Sequence, residues 1–155
     1  MAAAGGSRRA WGWHPLADEW AGRVVEDAGV RPGQLVLDIG AGRGALTAHL
    51  VAAGVQVIAV EPHPGRARWL RERFAGARVT VVESDVLALR LPHRPFRVVA
   101  NPPYAISSAL LSHLLAPRSR LVAADLVLQR AVVRRYTDGR SVPSARWEVR
   151  AGRPL

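Results

Sequence analysis

The chain has no cysteine, so neither a disulfide framework nor a thiolate metal site is open to it. Lysine is missing as well, and all 22 cationic side chains are arginine. No apolar run approaches the roughly 20 residues that a membrane span needs. The 5 histidines show no paired ligand spacing, which argues against a metal centre. A Gly-x-Ser-x-Gly elbow, the mark of many hydrolases, is also absent. The opening Met1-Ala-Ala-Ala-Gly-Gly leads to Arg8, Arg9 and Trp11 with no apolar segment between, unlike a signal peptide. These absences describe a cytoplasmic protein, expected as a monomer, without membrane or metal partners.

What is present is charge of one sign and an ordinary core. Anionic side chains number 12, which leaves a net charge of +10 and a pI near 11.7 in 155 residues. Such an excess of cations in one small domain suits a polyanion, above all a nucleic acid. The hydrophobic fraction of 49% is enough for one domain of this length. Residues 1–14 form a basic and aromatic arm whose Arg8, Arg9, Trp11 and Trp13 either stack on bases and meet phosphates or tuck under the domain edge.

The periodicity gives strands alternating with helices over 15–137. An apolar stripe at helical spacing, Leu16, Trp20 and Val24, follows Pro15 and ends at Gly29. Strands are expected at Leu35–Asp38, Val55–Glu61, Val79–Val82, Arg97–Ala100 and Ala124–Gln129. Helices fill the gaps: Ala45–Ala53, Arg66–Phe74 after the breaks at Pro62 and Pro64, Ser108–Leu115 capped by Ser107, and Arg130–Tyr136. The arginines of the third helix read as a solvated face. Residues 138–155 form an irregular tail with one weak strand, Trp147–Val149. Strands alternating with helices demand crossovers and parallel pairing, so the fold class is α/β, an open, doubly wound Rossmann-like sheet.

Between the first strand and its helix lies Gly40-Ala41-Gly42-Arg43-Gly44. Three alternate glycines let the backbone turn sharply and let a ligand approach main-chain N–H groups. The loop serves a dinucleotide as well as it serves S-adenosylmethionine. In such sheets ligands lie across the carboxyl ends of the strands, where Asp38, Glu61, Asp85 and Asn101 fall. Glu61, about 20 residues past the glycines, suits ribose hydroxyls, and Asp85 suits an adenine amino group.

Asn101-Pro102-Pro103-Tyr104 decides between the two ligands. The lone pair of an exocyclic amine is delocalised into its ring, and two acceptors on its N–H bonds, the Asn101 side-chain oxygen and a backbone carbonyl, localise it. Pro102 and Pro103 stiffen the backbone that presents the carbonyl. Tyr104 offers a stacking face for a flipped base. A nicotinamide oxidoreductase has no use for this element.

These motifs resemble the ribosomal RNA adenine N6-methyltransferases, and within them the Erm macrolide-resistance methyltransferases, over Val24 to about Arg135. Asp38–Thr47, Val60-Glu61, Ser84-Asp85-Val86, Asn101–Ser108 and Leu126–Arg130 are similar to successive family motifs. The resemblance implies S-adenosylmethionine as cofactor, bound by Asp38, Gly40, Gly42, Glu61, Asp85 and Asn101. It also implies N6 of an adenine in 23S rRNA as the methyl acceptor, with Asn101, Pro102 and Tyr104 catalytic and macrolide-lincosamide-streptogramin resistance as the consequence. Small-subunit rRNA, DNA adenine or a protein glutamine are alternative acceptors, and a non-catalytic RNA-binding remnant is a further alternative. The chain departs from the family in three places. Trp11-Gly12-Trp13-His14 replaces a Gln-Asn-Phe element, Ala131 replaces a usual Glu, and the family's last strand and helical RNA-binding domain are not reached, so a C-terminally truncated domain is expected.

Overall fold

A computed structural model describes residues 15–138 and 146–155. The N-terminal arm, with Arg8, Arg9 and Trp11–His14, therefore lies outside the described residues. Five strands, β1 Leu35–Ile39, β2 Gln56–Val60, β3 Val79–Val82, β4 Phe96–Ala100 and β5 Leu121–Leu126, form one sheet in the order β3-β2-β1-β4-β5. Every pair is parallel. The chain builds outward from β1 to β3, then returns to β4 on the other side of β1. The switch point of this doubly wound sheet therefore falls between β1 and β4, where ligands bind in this architecture.

Five helices cover the sheet: α1 Asp18–Ala28, α2 Ala45–Ala52, α3 Pro64–Arg73, α4 Ser107–Leu114 and α5 Arg130–Thr137. Short 3-10 turns stand at Val86–Ala88 and Tyr104–Ile106. Helices α1, α2 and α3 place Ala21, Val25, Leu46, Leu50 and Leu70 on one face against Val36, Val57, Ala59 and Val99. Leu110 and Leu114 of α4, with Val86, cover Leu37, Ile39, Phe96 and Val98 on the other. All of β1 is buried, as expected for a central parallel strand sandwiched between two helical layers.

Several local expectations need correction. Helix α3 begins at Pro64 and not after it, because the missing N–H of proline costs nothing at the first helical position. His63 caps it, its Nδ1 accepting from the N–H of Gly65 at 3.1 Å and of Arg66 at 3.3 Å. Ser107 is the first residue of α4 and not its cap: it is buried, and its hydroxyl donates to the Tyr104 carbonyl at 3.0 Å.

Strand β5 lies three residues earlier than the apolar run Leu126–Leu128 suggests, since pairing with β4 fixes Leu121 opposite Phe96 and Leu126 opposite Ala100. Trp147–Val149 is not a strand. Trp147 instead packs against the α4-side core, and Arg146 lies over its ring at 5.0 Å from the centroid.

Candidate active site

Strand β1 carries Asp38 next to its last residue, Ile39, so Asp38 lies inside the strand and does not close it. It is 1% exposed and accepts from the Thr47 hydroxyl of α2 at 2.6 Å. Burial pushes its carboxyl up to about 7, the nearby Glu61 charge adds to the rise, and the Thr47 bond opposes it.

The glycine loop follows, with Gly40, Gly42 and Gly44 all left-handed, at φ of 76°, 60° and 85°. This conformation is cheap only for glycine. The loop's N–H groups are largely committed inside the protein, contrary to the expectation of an open cradle. Gly40 and Ala41 donate to the Val60 carbonyl at 2.8 and 3.0 Å, Gly44 donates to Ala41 at 2.8 Å, and Gly42 donates to Glu61 Oε2 at 2.8 Å. A pyrophosphate needs such N–H groups facing it; a donor read by carboxylates and backbone shape does not.

Glu61, one residue past β2, is buried. Asp85 is exposed and caps the turn Val86–Ala88 through Oδ1, which accepts from the Leu87 N–H at 2.8 Å; capping engages this one of its carboxylate oxygens. Asn101 is half-buried immediately after β4, followed by the buried Pro102, and Tyr104 is half-buried at the start of its 3-10 turn.

The sheet brings the loop and the Asn-Pro-Pro-Tyr element into contact. A Cβ on Gly40 would stand 3.0 Å from Pro103 Cδ, 3.5 Å from Pro102 Cα and 3.7 Å from the Asn101 carbonyl oxygen. A cavity of about 240 Å³ opens there, lined in part by Leu16, Asp38, Gly40, Ala41, Leu46 and Asn101. Asp38, Gly40 and Asn101 thus share one cavity, while Glu61 stands behind the loop and Asp85 lies beyond β3. Among the described residues no cluster of three or more potential metal ligands occurs.

Sequence reasoning missed the role of the α3 arginines. Arg66 bonds to the buried Glu61 at 2.9 and 3.0 Å. Arg73 Nη1 donates to the Arg43 carbonyl of the glycine loop at 2.6 Å. Arg71 stands 3.6 Å from Glu83, just past β3. Only Arg68, paired with Glu72 at 3.1 Å on the helix surface, fits the expected solvated face. The signal available in the sequence was the spacing from Glu61 to Arg66, one helical turn past the cap at His63.

The sheet order, the switch-point cavity and a glycine loop packed on an Asn-Pro-Pro-Tyr element define a Rossmann-like S-adenosylmethionine-dependent methyltransferase domain. The family description "Ribosomal RNA adenine dimethylase" matches residues 11–146, and the chain belongs to that family. It is 41% identical over 128 residues to a ribosomal RNA small subunit methyltransferase A from Leifsonia xyli subsp. xyli, covering 76% of this chain and 44% of that protein. The same protein from Thermosynechococcus vestitus is 40% identical over 116 residues, covering 74% and 44%.

Among solved structures, the 23S rRNA methyltransferase ErmE superposes with a TM-score of 0.73 at 32% identity, over 81% of this chain and 51% of that one. A dimethyladenosine transferase from Plasmodium falciparum superposes at 0.70 with 27% identity, over 79% and 46%. The chain spans about half the length of the curated relatives it matches.

Proposed function

We propose that the protein transfers methyl groups from S-adenosylmethionine to N6 of an adenine in ribosomal RNA, and that the acceptor is 23S rRNA. The observation that carries the reading is the contact of Gly40 with Pro102 and Pro103. It sets an amine-binding element against the rim of a cavity suited to the donor.

The residues present fit the donor. Asp38 and Asn101 line the cavity, Gly40 leaves room that a Cβ would fill, and Glu61 and Asp85 follow the neighbouring strands for ribose and adenine. When bound, S-adenosylmethionine supplies an electrophilic methyl on a sulfonium, so the protein's task is alignment more than activation. Asn101 accepts from the target amine, Pro102 and Pro103 hold the adjoining carbonyl in place, and Tyr104 stacks on the flipped base. Burial of Asp38 beside Thr47 sets a carboxyl at the donor's end of the cavity.

The 23S reading draws support from the likeness to ErmE and from the motif resemblance, and resistance to macrolide-lincosamide-streptogramin antibiotics follows from it. Small-subunit rRNA is the second reading, favoured by the names of the relatives at 41% and 40% identity. Labelled methyl transfer to separately purified 23S and 16S rRNA decides between them. Label on 23S alone is expected. Label on 16S alone transfers the assignment to the small subunit, and label on neither contradicts the activity.

A further inference from the structure

Glu61 is held in an unusual way for a residue expected to bind a ligand. Its Oε1 accepts three donors: the His63 N–H at 3.0 Å, Arg66 Nε at 3.0 Å and Arg66 Nη2 at 2.9 Å. Its Oε2 accepts the Gly42 N–H at 2.8 Å. The carboxylate side chain is 1% exposed and the arginine 19%. A carboxylate has about four acceptor directions, two on each oxygen. Oε1 is filled, and Oε2 has one direction left.

Arg66 also supplies the charge that makes burying the carboxylate affordable. The cap of α3 fixes the arginine in turn, because His63 Nδ1 holds the Arg66 N–H at 3.3 Å and Pro64 sets the first turn.

We propose that Arg66 is a positioning residue of the donor site: by occupying Oε1 it leaves only Oε2 for the donor, so Glu61 reads one ribose hydroxyl and not two. The proposal rests on the S-adenosylmethionine reading above. The three parts act as a unit, in which Arg66 orients Glu61 and Glu61 braces the loop at Gly42. The donor's ribose then meets an acceptor already fixed in direction, and no side-chain freedom is lost on binding.

Calorimetric titration of the 155-residue chain with S-adenosylhomocysteine and its 2′-deoxy and 3′-deoxy analogues tests this. In the wild type, one deoxy analogue is expected to lose about tenfold or more in affinity and the other to stay close to the parent, as loss of one hydrogen bond to a charged acceptor predicts. Arg66→Ala is expected to weaken the parent ligand and to erase the difference between the analogues.

Because Arg66→Ala leaves a buried carboxylate unpaired, Arg66→Lys is the second variant. It keeps the charge without the two-pronged grip and is expected to erase the difference as well. Equal losses for both analogues in the wild type overturn the proposal, as does wild-type discrimination retained in a folded Arg66 variant. Failure of the folded wild type to bind S-adenosylhomocysteine itself is a separate result, and it contradicts the donor reading beneath the proposal.

Discussion

Asp38 shows how one buried side chain ties stability to pH. Its carboxyl is pushed from 3.8 up to about 7, first by burial and then by the Glu61 charge. Between those values the folded protein binds more protons than the unfolded chain, so the stability this group contributes is present at low pH. It is lost as pH rises through about 7. Asn at this position cannot ionise and keeps a neutral side chain throughout. Thermal melts of wild type and Asp38→Asn from pH 5 to pH 8 should therefore show the variant gaining on the wild type as pH rises, by an amount on the order of a few kcal/mol at most. A difference that does not change with pH would contradict the assignment. The same residue shows a limit of the sequence. Its place near the end of β1 was legible, but its burial and its bond to Thr47 depend on how α2 packs, which spacing alone does not reveal.

At the scale of elements, β1, the glycine loop, α2 and β3 were legible because their signals are local: apolar runs, left-handed glycines and a helix that starts where the loop ends. What was not legible depends on partners distant in sequence. The register of β5 is set by β4, and its apolar continuation Leu126–Leu128 drew the expected strand past its true end. The arginines of α3 looked like a solvent face because their acceptors, Glu61, Glu83 and the Arg43 carbonyl, lie on three other segments. Trp147 has the β-propensity of a strand residue, yet it is used as a plug against the core.

The junction of α2 with α3 gives a prediction at this scale. Gly44, at the N-cap of α2, has φ of 85°. A Cβ there would stand 2.6 Å from Phe74 Cε2 and 3.0 Å from Leu70 Cδ2. Gly44→Ala should cost about 1–3 kcal/mol from backbone strain, with the steric clash adding to it. Chemical denaturation would register the loss as a lower midpoint. A midpoint equal to that of the wild type would mean that α3 moves aside freely.

The whole molecule joins an α/β domain that holds a donor to a surface carrying a net charge of +10. If that charge meets RNA phosphates, log affinity for ribosomal RNA falls linearly with log salt, by about 0.7 to 0.9 for each phosphate met. Filter binding across a salt series measures the slope, and a flat line would separate the charge from RNA binding. Among the described residues no helix is long and apolar enough to cross a membrane.

The central claim is that Asn101, set against the glycine loop, governs methylation of an adenine amine. Its most direct test is transfer of labelled methyl from S-adenosylmethionine to ribosomal RNA by wild type and Asn101→Ala, with the RNA digested to nucleosides. Label confined to N6-methylated adenosine, and a rate lower by about a hundredfold or more in the variant, is the predicted result. Equal transfer by the two proteins, or label on another nucleoside, would contradict the account.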